Sequence, residues 1–86
     1  MSVAQHHLDW LNERADGLVV GIHVENAIMS EFQHVMDGEV VNSYKARQAR
    51  VWIDARRLRD DLVREREAIL AVLGELNHIA SSMEEK

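Results

Sequence analysis

Between Val51 and Met83, apolar side chains recur at alternating spacings of four and three. Val51, Ala55, Leu58, Leu62, Ile69, Val72, Leu76, Ile79 and Met83 form the ladder, and Glu65 is its one interruption. A 3.5-residue period held over this length keeps one stripe turned toward a neighbour, so it predicts a long helix lying along another helix in coiled-coil fashion. The chain has no proline, the residue that most reliably breaks such a helix.

A second ladder with the same rhythm precedes it: Ala4, Leu8, Leu11, Ala15, Leu18, Ile22, Met29, Phe32 and Met36, interrupted by Glu25. Ser2 with Gln5 has the spacing of a capping box, and the first helix is expected over about residues 2–36. Asp16-Gly17 is its weak point, because glycine inside a helix costs roughly 1 kcal/mol relative to alanine. A kink or a split is open there, although the apolar register passes through unchanged. Asp37-Gly38 closes the ladder, with glycine expected to take the left-handed conformation that ends many helices. Asn42 or Ser43 can cap the second helix, over about 42–83, whose stripe begins at Val41 and Tyr44. The tail Glu84-Glu85-Lys86 is expected to fray. A short connection makes the helices antiparallel neighbours. The expected fold is therefore all-α: one domain over residues 1–86, a long antiparallel helical hairpin.

Two features extend this to a dimer. A chain of 86 residues buries only about 60–65% of its unfolded surface, and with no cysteine it cannot add a disulfide staple. The middle of the first helix is also apolar around most of its circumference, through Leu18, Val19, Val20, Ile22, Val24, Ala27, Ile28 and Met29. A second stripe, Val3, Trp10, Gly17 and Val24, repeats every seven residues. Gly17 and Gly21, four apart, would let another helix come close. Ile53, Val63, Leu70 and Leu73 lie off the main stripe of the second helix. One hairpin cannot cover this surface, so two are expected to pair into a four-helix bundle. Leu18, Ile22, Met29, Phe32, Leu58, Leu62, Ile69 and Leu76 are the expected core and dimer seam.

Equal rise per residue in both helices sets residue i opposite about residue 79 minus i. Glu65 then meets Arg14, and Glu25 meets Arg56 or Arg59, giving register pairs for two otherwise costly seam charges. The alternative is that both glutamates extend from the seam edge to water. Net charge is −5, unevenly spread. Residues 1–41 hold Arg14 against seven acids, whereas Lys45–Arg66 hold eight basic residues against four acids. Pairs at i,i+4 such as Arg50/Asp54, Arg57/Asp61 and Asp60/Arg64 explain part of this as a self-paired surface.

Candidate chemistry is sparse. His6 and His7 come to the same end as Glu75 and His78, but no helix carries the His-x3-His spacing from which bundle metal sites are built, so no metal or cofactor is expected. Serines lack a base and orienter, threonine is absent, and Asp60-Asp61 lie where nothing would raise a carboxyl pKa; an enzyme is not expected. Arg50, Arg57 and Arg64 form a basic stripe near Trp52, with Lys45, Arg59 and Arg66 alongside. A dimeric antiparallel hairpin with such a face resembles, in architecture alone, the small plasmid RNA-binding bundles of the Rop type. That likeness implies a nucleic-acid binder working through the Arg50/Arg57/Arg64 stripe. The acids interleaved with it, and the negative net charge, make nucleic acid the weaker expectation.

The preferred expectation is a small non-enzymatic protein-binding module: an adaptor, a chaperone or a regulatory inhibitor acting as a homodimer. Its expected partner-binding residues are Trp52, Arg56, Arg59, Val20, Val24 and Ile28, since tryptophan and arginine are enriched in binding hot spots. A self-assembling structural subunit is a further alternative. The start lacks a secretory signal pattern and the longest apolar run, Leu18–Val24, is too short for a membrane span. With no cysteine, a cytoplasmic location is expected.

Overall fold

A computed structural model describes residues 4–38 and 42–84. They form two antiparallel helices, α1 (Gln5–Met36) and α2 (Ser43–Glu84). Ser2, Val3, Val41, Glu85, Lys86 and the side chains of Met83 and Glu84 lie outside what is described. The hairpin measures 67 × 18 × 14 Å, as expected for a 42-residue helix with a rise of about 1.5 Å per residue.

The helix ends follow local chemistry. At the start of α1, Ala4 is extended and has no side-chain cap, while Gln5 turns to Asp9 at 3.0 Å. The Asp16-Gly17 pair sits inside one unbroken helix. At its end, the Asp37 N–H donates to the Gln33 carbonyl at 3.1 Å with Asp37 still right-handed. No glycine among the described residues has a positive φ, so the expected left-handed closure at Gly38 is not used. Asn42, rather than Ser43, caps α2: its Oδ1 accepts the Lys45 N–H at 2.8 Å. That bond satisfies one of the free donors every helix start exposes.

The core is thin and runs the length of the hairpin. Ala15, Leu18, Ile69 and Leu73 are buried together, with Leu8, Leu11 and Leu62 packed on them. Nearer the turn, Met29, Val35, Ala49 and Ala55 are buried too. At the waist, a Cβ on Gly21 would stand 3.1 Å from the Leu62 Cδ1, so this glycine lets the two helices approach closely.

In α1 the seam lies close to the expected one, except that Val35 is buried at its end in place of the exposed Met36. In α2 it is rotated. Ala55, Leu62, Ile69 and Leu76 face α1, but the second file is Trp52, Arg59, Arg66 and Leu73, all at least half-buried. Val51, Leu58, Val72 and Ile79, expected on the seam, are 43%, 48%, 48% and 47% exposed. Leu58 is thus not in the core of the hairpin. The reason is that long amphipathic side chains can line a narrow seam with their stems and still find polar partners. Trp52 Nε1 donates to Gln33 at 3.2 Å, Arg59 to Asn26 at 3.2 Å, and Arg66 to the Ala15 carbonyl at 3.3 Å.

Candidate interaction face

The cross-helix bonds give the flat hairpin two distinct broad sides. On one, Arg14 of α1 reaches Glu65 of α2 through Nε–Oε1 at 2.9 Å and Nη2–Oε2 at 3.2 Å. On the other, Trp52 meets Gln33 and Arg59 meets Asn26. Positions seven apart lie in one file along a helix of coiled-coil period. Tyr44, Val51, Leu58, Val72 and Ile79 therefore share the file of Glu65, and all are open to solvent. On α1 the file of Arg14 contains Gly21 and Ile28, and the adjoining file contains Trp10, Gly17 and Val24. Trp10 is 62% exposed and Val24 47%.

The Arg14–Glu65 side is accordingly apolar along most of its length, with the ion pair near its middle and exposed Glu31 closing the Trp10 file toward the turn. Contiguous exposed apolar patches larger than about a few hundred Å² are rare on monomeric soluble proteins. Exposed apolar residues also occur elsewhere, with Val19 and Val20 on the remaining faces of α1 and Ile53 and Leu70 away from the Glu65 file.

The electrostatics are those of an exposed surface. The hydrogen bonds from Arg14 to Glu65, and then the charge of that carboxylate, raise the Arg14 pKa above the ordinary arginine value. The pair is about half exposed on both sides, so it contributes more to register than to stability. Glu25, the other seam glutamate, is half-buried. Among the described residues no ion pair joins it to Arg56 or Arg59. Arg59 pairs with Asp60 at 3.1 Å, and the Arg56 guanidinium lies over the Trp52 ring, 5.7 Å from its centroid.

The sequence-derived binding residues consequently divide into two places. Val24 and Ile28 belong to the apolar side. Trp52, Arg56 and Arg59 gather on the opposite side, where Trp52 and Arg59 are half-buried and already bonded to α1. Val20, 64% exposed, lies on the outer ridge of α1. Leu18, Ile22, Met29, Phe32, Leu62, Ile69 and Leu76 line the seam between the two helices, each buried or half-buried. Missed in the sequence was the open file through Val51, Leu58, Val72 and Ile79. Its seven-residue spacing is legible in the sequence, but spacing alone turns the file toward α1, whereas in the hairpin it faces solvent.

The basic stripe runs along the outer ridge of α2. Arg50 pairs with Asp54 at 3.5 Å and Arg64 with Asp61 at 3.8 Å. Asp60 is taken by Arg59 rather than by the expected Arg64. His6 and His7 lie against each other at the start of α1, ring centroids 4.0 Å apart and planes tilted by 60°. Among the described residues no three His, Asp or Glu side chains are placed to hold a metal ion, and no helix is long and apolar enough to cross a membrane.

No family model, curated protein or solved structure matches this chain.

Proposed function

We propose that this chain is a non-enzymatic protein–protein interaction module, an adaptor, chaperone or regulatory inhibitor, that acts as a homodimer of helical hairpins. The observation carrying this reading is the open file Val51, Leu58, Val72 and Ile79 beside Trp10 and Val24 on one broad side. At about 25 cal/mol per Å² of apolar surface removed from water, covering such a face is a large favourable contribution for an 86-residue chain with a thin core. In this reading the second copy uses the apolar side. The foreign partner uses the Trp52–Arg56–Arg59 surface or the Val20 ridge, where an arginine over an indole and an exposed valine remain available. The absence of cysteine suits a reducing compartment, and a cytoplasmic address is part of the proposal.

Light scattering of the purified chain, followed by a pull-down from its host, tests this. A dimer is expected, together with a specific co-purifying protein that Arg56→Glu or Val20→Asp releases while the dimer persists. A monomer that retains no protein overturns the reading.

The nucleic-acid alternative rests on one observation: Arg50 and Arg64 are 71% and 78% exposed. Their pairing with Asp54 and Asp61 lowers the positive potential of that ridge, so this reading ranks second. It predicts a steeply salt-dependent shift of RNA or DNA, removed by changing Arg50, Arg57 and Arg64 to Glu.

A further inference from the structure

We propose that two hairpins dock through their Arg14–Glu65 sides with both turns at the same end. In this arrangement α1 of each copy lies on α2 of the other. The inference rests on the homodimer reading above and specifies its interface and orientation.

Area is the first argument. The broad side of the hairpin lies within 67 × 18 Å, room for an interface of the roughly 800 Å² per partner that a standard stable complex buries. The second copy is an occupant large enough to cover the whole apolar strip.

Charge chooses between the two ways of stacking the hairpins. A two-fold axis along the helices puts α1 on α2 of the partner; a two-fold axis across them puts α1 on α1 and α2 on α2. Both leave neighbouring helices antiparallel, so helix packing alone does not decide. However, Arg14 and Glu65 stand at one level on this side, and Glu65 lies near the middle of α2, Ser43–Glu84. Full overlap with the axis across the helices would therefore set Arg14 against Arg14 of the partner subunit and Glu65 against Glu65 of the partner subunit, whereas same-end stacking sets each Arg14 against Glu65 of the partner subunit.

The layers agree. With turns together, the Trp10 level of one copy falls on the Val72 level of the other, and the Val24 level on that of Leu58. Between them, Gly17 comes opposite Glu65 of the partner subunit. A Cβ at Gly17 would meet nothing within 4 Å in the single hairpin, so this position offers room for the charged pair of the second copy. Arg14 and Glu65 of the two copies then form one four-membered cluster in which every guanidinium has a carboxylate on each side.

Because the chain contains no cysteine, single-cysteine variants carry one spin label each. Asp37→Cys places it near the turn and Ser82→Cys at the open end, both at exposed positions. Pulsed dipolar spectroscopy on each pure dimer should give distances well under half the 67 Å hairpin length. A mixed dimer of the two variants should add a distance approaching the full length. Long distances in both pure dimers, with a short one in the mixture, would overturn same-end docking and leave the dimer standing. No dipolar coupling in any sample, together with a monomeric mass, would overturn the dimer itself.

Discussion

Arg14 and Glu65, 51 positions apart in the chain, share a two-pronged ion pair at 2.9 and 3.2 Å across the two helices. This contact favours one register: sliding either helix by one heptad would set Arg14 beside Leu58 or Val72 and leave Glu65 beside His7 or Gly21, without its arginine. Because the pair is half exposed, its energetic contribution is screened, and its value lies in excluding other alignments.

Charge reversal at this pair separates register from simple attraction. Arg14→Glu or Glu65→Arg alone should lower the thermal midpoint. The double exchange should recover most of the loss at low salt, and the difference should shrink in 1 M salt. Circular dichroism melts at two ionic strengths check this; a double exchange no better than the worse single variant would contradict the register role.

The core and the open file should respond differently to truncation. Leu18 is 3% exposed, and Leu18→Ala should cost about 2–5 kcal/mol through lost burial and a cavity. Leu58→Ala removes a side chain that is 48% exposed in the hairpin, so at dilutions where the chain is monomeric it should cost far less. As concentration rises, the penalty at Leu58 should grow while that at Leu18 holds steady. Denaturation curves at several protein concentrations would show it.

Two glycines give a paired comparison. Gly17→Ala fills open space in the hairpin and should stabilise the dilute chain by about 0.5–1 kcal/mol through helix propensity. Gly21→Ala brings a methyl to 3.1 Å from the end of Leu62, so the same gain is offset by crowding and the net change should be near zero. Urea titrations of both variants measure the difference.

The cap of α2 is a local test. Asn42→Ala removes the acceptor of the 2.8 Å bond from the Lys45 N–H and should cost about 1 kcal/mol, with Asn42→Asp largely retaining stability. Hydrogen exchange at the first turn of α2 should accelerate in the alanine variant.

Trp10 reports on the face directly. In a Trp52→Phe background it is the remaining tryptophan, 62% exposed in the single hairpin. Acrylamide quenching of its fluorescence should fall as protein concentration rises and the face is covered. Quenching independent of concentration would place Trp10 outside the interface.

The heptad rhythm made both helices, their antiparallel pairing and the Arg14–Glu65 contact legible before any coordinates, because period and chain length restrict a short-linked pair of helices severely. What periodicity could not decide was which of two adjacent files in α2 faces inward. Val51–Leu58–Val72–Ile79 and Trp52–Arg59–Arg66–Leu73 are rotated by one residue, and hydrophobicity favours the first. The hairpin selects the second, because Trp52, Arg59 and Arg66 find acceptors on α1 in Gln33, Asn26 and the Ala15 carbonyl. The expected Glu25–Arg56 contact fails for a related reason: Arg56 turns to the Trp52 ring and Arg59 to Asp60 and Asn26. Side-chain reach toward specific partners is set by three-dimensional placement, and spacing along one chain does not encode it.

The central claim is that the Leu58–Val72 file is covered by a second copy in solution, and sedimentation equilibrium tests it most directly. Wild type at micromolar concentration should sediment as twice the 9.9 kDa chain mass, and a Leu58→Glu, Val72→Glu variant should sediment as a single chain. A wild-type chain that remains monomeric, or a variant that still dimerises, would contradict the account.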